Sequence, residues 1–159
     1  MNHDSYDDDY FLDIFKHIKT VAVVGASANP ARPSHLVTKY LVSKGFDVIP
    51  VNPGQAGRSI AGIKTVRKLG DIRRPVDMVD IFRQSDAIAD VVNQAIGMDP
   101  PPKVIWMQLG LRNDKAAAMA EDAGIRVVMN RCSKIEYARL CGEIVWSGVA
   151  SGLMTSGRR

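Results

Sequence analysis

Five short runs rich in β-branched residues punctuate the chain at regular intervals, and nothing else in the sequence restricts the possible folds as much. They are Val21-Ala22-Val23-Val24-Gly25, Phe46-Asp47-Val48-Ile49-Pro50-Val51, Val76-Asp77-Met78-Val79-Asp80-Ile81-Phe82, Val104-Ile105-Trp106-Met107 and Arg126-Val127-Val128-Met129. Short and largely continuous apolar runs are the pattern of strands covered on both faces, as in parallel sheets. Helical stretches separate them. Leu36, Val37, Tyr40 and Leu41 give one face, stopped by Gly45. Ser85 is placed to cap a helix carrying Ile88, Val91, Val92, Ala95 and Ile96 at helical spacing. An alanine-rich helix is expected over residues 113–123, and Ser133-Lys134-Ile135-Glu136 has capping-box spacing for a last one. Strands alternating with helices imply right-handed crossovers and a three-layer α/β/α, doubly wound parallel sheet. The expected order is 3-2-1-4-5, a Rossmann-like arrangement. Pro50 sits awkwardly in it, because a proline inside an interior strand removes a ladder donor.

A chain of 159 residues accommodates one such domain. Tyr10, Phe11, Ile14, Phe15 and Ile18 add an amphipathic helix before the first strand. The expected division is therefore residues 1–18 as an acidic segment and helix, 19–141 as the Rossmann-like domain, and 142–159 as a C-terminal extension in which Ile144, Val145 and Trp146 dock. Residues 54–75 form a long Gly-, Lys- and Arg-rich connection with a short extra element at 63–66. Two cysteines exclude a disulfide framework and suit a reducing compartment. No apolar stretch reaches the ~18 residues of a membrane span, and the acidic N-terminus is unlike a secretory signal, so a cytoplasmic location is expected.

Charge is distributed unevenly. Asp4, Asp7, Asp8, Asp9 and Asp13 precede the first basic residue, so the remaining chain has 21 basic against 12 acidic residues. A surplus of nine asks for an anionic partner. Lys64, Arg67, Lys68, Arg73 and Arg74 have no aromatic residue among them, and the chain is only 6% aromatic, so no stacking platform for single-stranded nucleic acid is present. The same stretch lacks the amphipathic pattern of a membrane-surface helix. A phosphate-bearing small molecule is the remaining class.

Such a ligand has an obvious place. In a doubly wound sheet the crevice lies at the strand C-termini where the crossovers change face, between strands 1 and 4 in the expected order. The loop Gly25-Ala26-Ser27-Ala28-Asn29-Pro30-Ala31-Arg32-Pro33-Ser34 leads there into a helix N-terminus, where backbone amides favour phosphate. Neither the G-x-G-x-x-G pattern nor an acid after strand 2 is present; Gly25 stands alone and Asn52-Pro53 occupies the strand-2 end. The site therefore departs from the usual NAD arrangement, and no P-loop sequence occurs.

The runs 21–30, Ile49-Pro50-Val51-Asn52-Pro53, Val79-Asp80-Ile81-Phe82-Arg83, Trp106-Met107-Gln108-Leu109-Gly110 and Met129-Asn130-Arg131-Cys132 together resemble the CoA-binding domain family. The likeness is to its stand-alone, YccU-like branch, related to the CoA-binding domain of the succinyl-CoA ligase α subunit, and spans residues 15–141. It implies that coenzyme A lies along the strand C-termini. Gly25, Ala26 and Ser27 would approach its phosphates with Asn29, Arg32 and Ser34 close by. Asn52 and Pro53 would border the nucleotide, Phe82 and Arg83 the adenine, ribose or arm, and Gln108, Leu109 and Gly110 the pantetheine arm. The ligase relatives have a Lys soon after the strand-2 Pro; here Gln55 stands in its place, with Arg58 three residues on.

No catalytic constellation accompanies this pocket. His3, His17 and His35 lack ligand spacing, which excludes a zinc site, and His35 is read as a polar residue at a helix start. Asp77 and Asp80 face opposite sides of one strand, with Asp80 placed to orient loop backbone. Cys132, beside Arg131 and before a helix, has the setting of a reactive thiol, but packing at a turn is the favoured reading. The expectation is a non-catalytic carrier, sensor or regulator of CoA or acyl-CoA, working alone, as a homodimer or with a protein partner. The rivals are an NAD(P)-linked oxidoreductase and an interaction module with a vestigial pocket.

Overall fold

All five runs pair in parallel into one sheet, in which the third run lies between the first and the fourth. The computed structural model describes residues 1–141; the expected C-terminal extension, with Ile144, Val145 and Trp146, lies outside the described residues. The strands are β1 (Thr20–Val24), β2 (Asp47–Val51), β5 (Met78–Ile81), β6 (Val104–Met107) and β7 (Arg126–Val128), and a small antiparallel hairpin, β3 (Ser59–Ile60) with β4 (Ile63–Lys64), occupies the long connection. The helices are α1 (Asp8–His17), α2 (Pro33–Ser43), α3 (Ile88–Ile96), α4 (Asp114–Asp122) and α5 (Ser133–Cys141). A doubly wound α/β fold is thus confirmed.

The expected strand order 3-2-1-4-5 is corrected: the third long strand, β5, lies between β1 and β6, and β2 is at the edge. Two physical reasons are visible in the sequence. All four residues of β5 are buried, as an interior strand requires. Pro50 marks β2 as an edge strand, since its carbonyl accepts from Val66 N on the side away from β1, and its missing N–H lies on that same outer side. At the other end of β5, Asp77 receives the amides of Lys19 (2.8 Å) and Thr20 (3.0 Å), which fastens β5 beside β1.

Alternating residues send the sheet's two faces into two cores. Val21, Val23, Met78 and Trp106 meet Phe11, Phe15, Val37, Leu41 and Tyr137 from α1, α2 and α5. Ala22, Val79, Ile81 and Ile105 meet Val91, Val92, Ala95, Ala116 and Ala120 from α3 and α4. Since α2 carries the β1–β2 crossover and the later crossovers use the opposite face, the change of direction falls between β1 and β5. The crevice moves with it, so Phe82 and Arg83, expected to flank the site, follow one of its two central strands.

The N-terminal segment belongs to this body. Tyr6 Oη accepts from Met129 N (2.8 Å) and Tyr10 Oη donates to Val127 O (2.8 Å), which places both tyrosines along the outer strand β7. Asp4, Asp8 and Asp13 pair with Arg112, Arg139 and Arg126.

Candidate functional site

Gly25 makes the β1 loop possible. Its φ is +90°, and a Cβ there would stand 2.7 Å from Phe82 O and 2.9 Å from Phe82 C. The loops after β1 and β5 therefore touch backbone to backbone, an approach that admits only glycine. Beyond Gly25 the loop is held by its own side chains. Ser27 Oγ accepts from Asn29 N (3.0 Å), and Asn29 Oδ1 accepts from Ala31 N (3.0 Å). His35 Nδ1 lies 2.9 Å from Ser27 O, and a carbonyl partner requires that nitrogen to carry the proton. Asn52 closes the other side: its Nδ2 donates to Ala26 O (2.8 Å) and its Oδ1 accepts from Gly54 N (2.9 Å).

These loops border a cleft of about 650 Å³ lined by Gly25, Arg32, Asn52, Phe82, Arg83, Gln84, Asp86 and Ala87. A branch of about 300 Å³ runs under the start of α2, past Ser27, Pro33 and Ser34. Arg32 caps α2 without a side-chain bond, and the first turn of that helix contains no acid. Pro33 has no N–H, and the amides of His35 and Leu36 both donate to Arg32 O, so in this first turn only the Ser34 amide is left to water or an incoming anion. Among the described residues Arg32 and Arg83 have no ion-pair partner within 4 Å, whereas Arg74, Arg112, Arg126 and Arg139 are all paired.

On the far side of Phe82 and Arg83 the surface changes character. An apolar cavity of about 280 Å³ is lined by Pro33, Val37, Phe82, Arg83, Gln108, Leu109, Leu111 and Cys132. Phe82 borders all three spaces and so forms a shared wall. The result is a polar cleft with two unpaired guanidinium groups, continued by an apolar one.

Under the apolar cavity sits a closed polar cluster. Asp80, wholly buried, accepts from Gln108 Nε2 at 2.6 Å and from Ser133 Oγ at 2.8 Å, and Gln108 Nε2 also lies 2.9 Å from Ser133 Oγ. Burial pushes the Asp80 carboxyl up to about 7, against the lowering effect of its two donors. Ser133 was expected to open a capping box on α5. Its hydroxyl serves Asp80 instead, and Glu136, the other half of that box, pairs with Arg139. Ser85 makes no cap either, since Gln84 precedes a single 3-10 turn before α3.

Of the residues singled out in the sequence, Gly25, Ser27, Arg32, Ser34, Asn52, Phe82, Arg83, Gln108 and Leu109 come together on these walls. Four do not line them. Ala26 is fully buried, Asn29 is spent on the loop's own turn, Pro53 opens an exposed 3-10 turn, and Gly110 donates to Asn130 Oδ1 at the rim. Gln55 Oε1 is buried without a hydrogen-bond partner, and this residue is not on the cleft walls. Pro33, Val37, Leu111 and the lock formed by Asp80 and Ser133 escaped the sequence reading. The one available signal was Asp80 itself, a charge at the centre of an interior strand.

The sequence profile of the CoA binding domain matches residues 19–138. The protein YneT of Bacillus subtilis (strain 168) is 37% identical over 126 residues, covering 79% of this chain and 90% of that protein. A Thermus thermophilus structure superposes with a TM-score of 0.80 at 36% identity, covering 85% of this chain and 99% of its own. A hypothetical protein from Pyrococcus horikoshii OT3 gives 0.79 at 35% identity, with 88% and 96% covered.

Proposed function

This chain belongs to the CoA-binding domain family, and we propose that it binds coenzyme A or an acyl-CoA in the groove between the ends of β1 and β5, as a carrier, sensor or regulator that performs no chemistry itself. The observation that carries the reading is the groove's two-part surface. A phosphorylated nucleotide suits the polar cleft, with Arg32 and Arg83 meeting its charges. An extended, mostly apolar arm suits the adjoining cavity beyond Phe82. The absence of catalysis is inferred from the groove's lining. It offers no nucleophile paired with a base, and Cys132, a free and half-exposed thiol, is without a histidine on these walls. Among the described residues no group of three metal-ligating side chains occurs. A cytoplasmic setting is part of the proposal; among the described residues no helix is long and apolar enough to cross a membrane, and Cys132 is a free thiol.

Thermal melting with a ligand panel tests this. A ligand at 100 times its Kd stabilises the fold by about 2.7 kcal/mol, several degrees in Tm for a domain of this size. A rise with CoA and none with NAD or NADP is expected. A rise with NAD alone, or with none of the three, would overturn the proposal, the latter in favour of an interaction module.

A further inference from the structure

We infer that Asp80 is a positioning residue for the arm of the ligand: with Ser133 it takes both hydrogens of the Gln108 amide, leaving the amide oxygen as the one polar atom of that side chain free to meet a ligand N–H at the apolar cavity. The inference rests on the CoA reading and adds to it how one wall of the pocket is set.

The chemistry follows from counting donors. A glutamine amide has two N–H hydrogens and one acceptor oxygen. Gln108 Nε2 stands 2.6 Å from Asp80 Oδ1 and 2.9 Å from Ser133 Oγ, so both hydrogens have buried partners. The Ser133 hydroxyl turns its own hydrogen to Asp80 Oδ2 at 2.8 Å, which closes the ring. With Asp80 ionised, turning the amide over would set its oxygen against the carboxylate and the serine oxygen, so in that state the lock has one favourable orientation. Gln108 is only 5% exposed, yet it lines the cavity, whose other walls are apolar apart from Arg83 and the Cys132 thiol. In that apolar setting one fixed acceptor discriminates: it rewards an arm containing amide N–H groups and gives nothing to a purely hydrocarbon chain. Asp80 lies on β5, Gln108 follows β6 and Ser133 begins α5, so the orientation is set by three separate elements.

Binding of two probes separates this role from a general structural one. CoA has the amide-bearing arm; adenosine 3′,5′-bisphosphate has the phosphorylated nucleoside without it. By calorimetry Gln108→Leu should weaken CoA about tenfold, the net worth of one hydrogen bond, and leave the bisphosphate unchanged. Asp80→Leu should show the same selective loss, and the double variant should lose no more than Gln108→Leu alone, because Asp80 acts through Gln108. Asp80→Asn retains an acceptor for Gln108 and should bind CoA within about twofold of the parent. Should Asp80→Leu fail to fold, Ser133→Ala, which removes one of the two acceptors, bears the same selective expectation. Unchanged CoA affinity in Gln108→Leu, equal losses for both probes, or additive losses in the double variant would overturn the inference while leaving the CoA reading intact. A parent protein that binds neither probe would overturn both.

Discussion

Asp80 is a wholly buried carboxyl, and the consequence of its burial is measurable. Its carboxyl is raised from about 4 in the unfolded chain to about 7 in the fold. Between those values the folded protein holds a proton that the unfolded chain has released. The stabilising contribution is therefore complete below pH 4, falls as pH rises, and is gone above pH 7, with a slope of at most about 1.4 kcal/mol per pH unit. Urea midpoints between pH 4 and 7 should show this fall in the parent relative to Asp80→Asn, which cannot titrate; parallel curves would contradict the assignment. Gly25 supports a second prediction at the same scale. Gly25→Ala places a Cβ 2.7 Å from Phe82 O at a positive φ, so a stability loss of roughly 2 kcal/mol or more should appear in denaturant titration. Larger residues at Gly25 would fail for this reason before ligand contact is at issue. The two residues differ in how legible they were. Gly25 ends a strand and begins a helix-leading loop, a context that names its role from sequence. Asp80 has no such local signature, because its partners lie 28 and 53 positions away and only the fold brings them together.

At the scale of elements, the five strands were readable because burial on both faces writes itself as unbroken apolar runs. Their order was not, because pairing is decided by the connections, and the 52–77 connection contains no long helix to indicate its direction. Pro50 was the exception: a local misfit in an interior strand is an ordinary feature of an edge. The opposite edge is managed differently. There Tyr6 and Tyr10 approach β7, and their hydroxyls bond to Met129 N and Val127 O, with Arg131 and Arg126 over their rings at 5.0 and 5.8 Å. Burial raises both phenols, Tyr10 to about 12, so both remain neutral hydrogen-bonding groups through the physiological range. Tyr6→Phe withdraws the acceptor from the Met129 amide and should cost about 1–2 kcal/mol in urea unfolding, with faster hydrogen exchange at Met129. An unchanged exchange rate would show that the segment does not protect this edge.

For the molecule as a whole, the surplus of nine basic charges outside the first 13 residues resolves into separate populations. Arg112, Arg126 and Arg139 answer Asp4, Asp13 and Asp8 on the β7 side. Arg32 and Arg83 stand without ion-pair partners at the groove, near β1 and β5. Two strand spacings, about 10 Å, separate β5 from β7, more than the ~8 Å over which charges are screened at physiological ionic strength. Anion binding should therefore depend on the local arginines and hardly at all on net charge. Replacing Asp4, Asp8 and Asp13 together by Asn raises the formal charge from +4 to +7. Calorimetry at 0.15 M salt should nevertheless find CoA affinity within about twofold of the parent, since the added field is screened before it reaches the groove. Arg83→Ala, which lowers the charge by one, should weaken binding about tenfold by removing a direct partner of the ligand's phosphates. If the triple variant instead bound CoA tenfold more tightly while Arg83→Ala was neutral, the positive field of the whole body, and not the groove, would be the source of affinity.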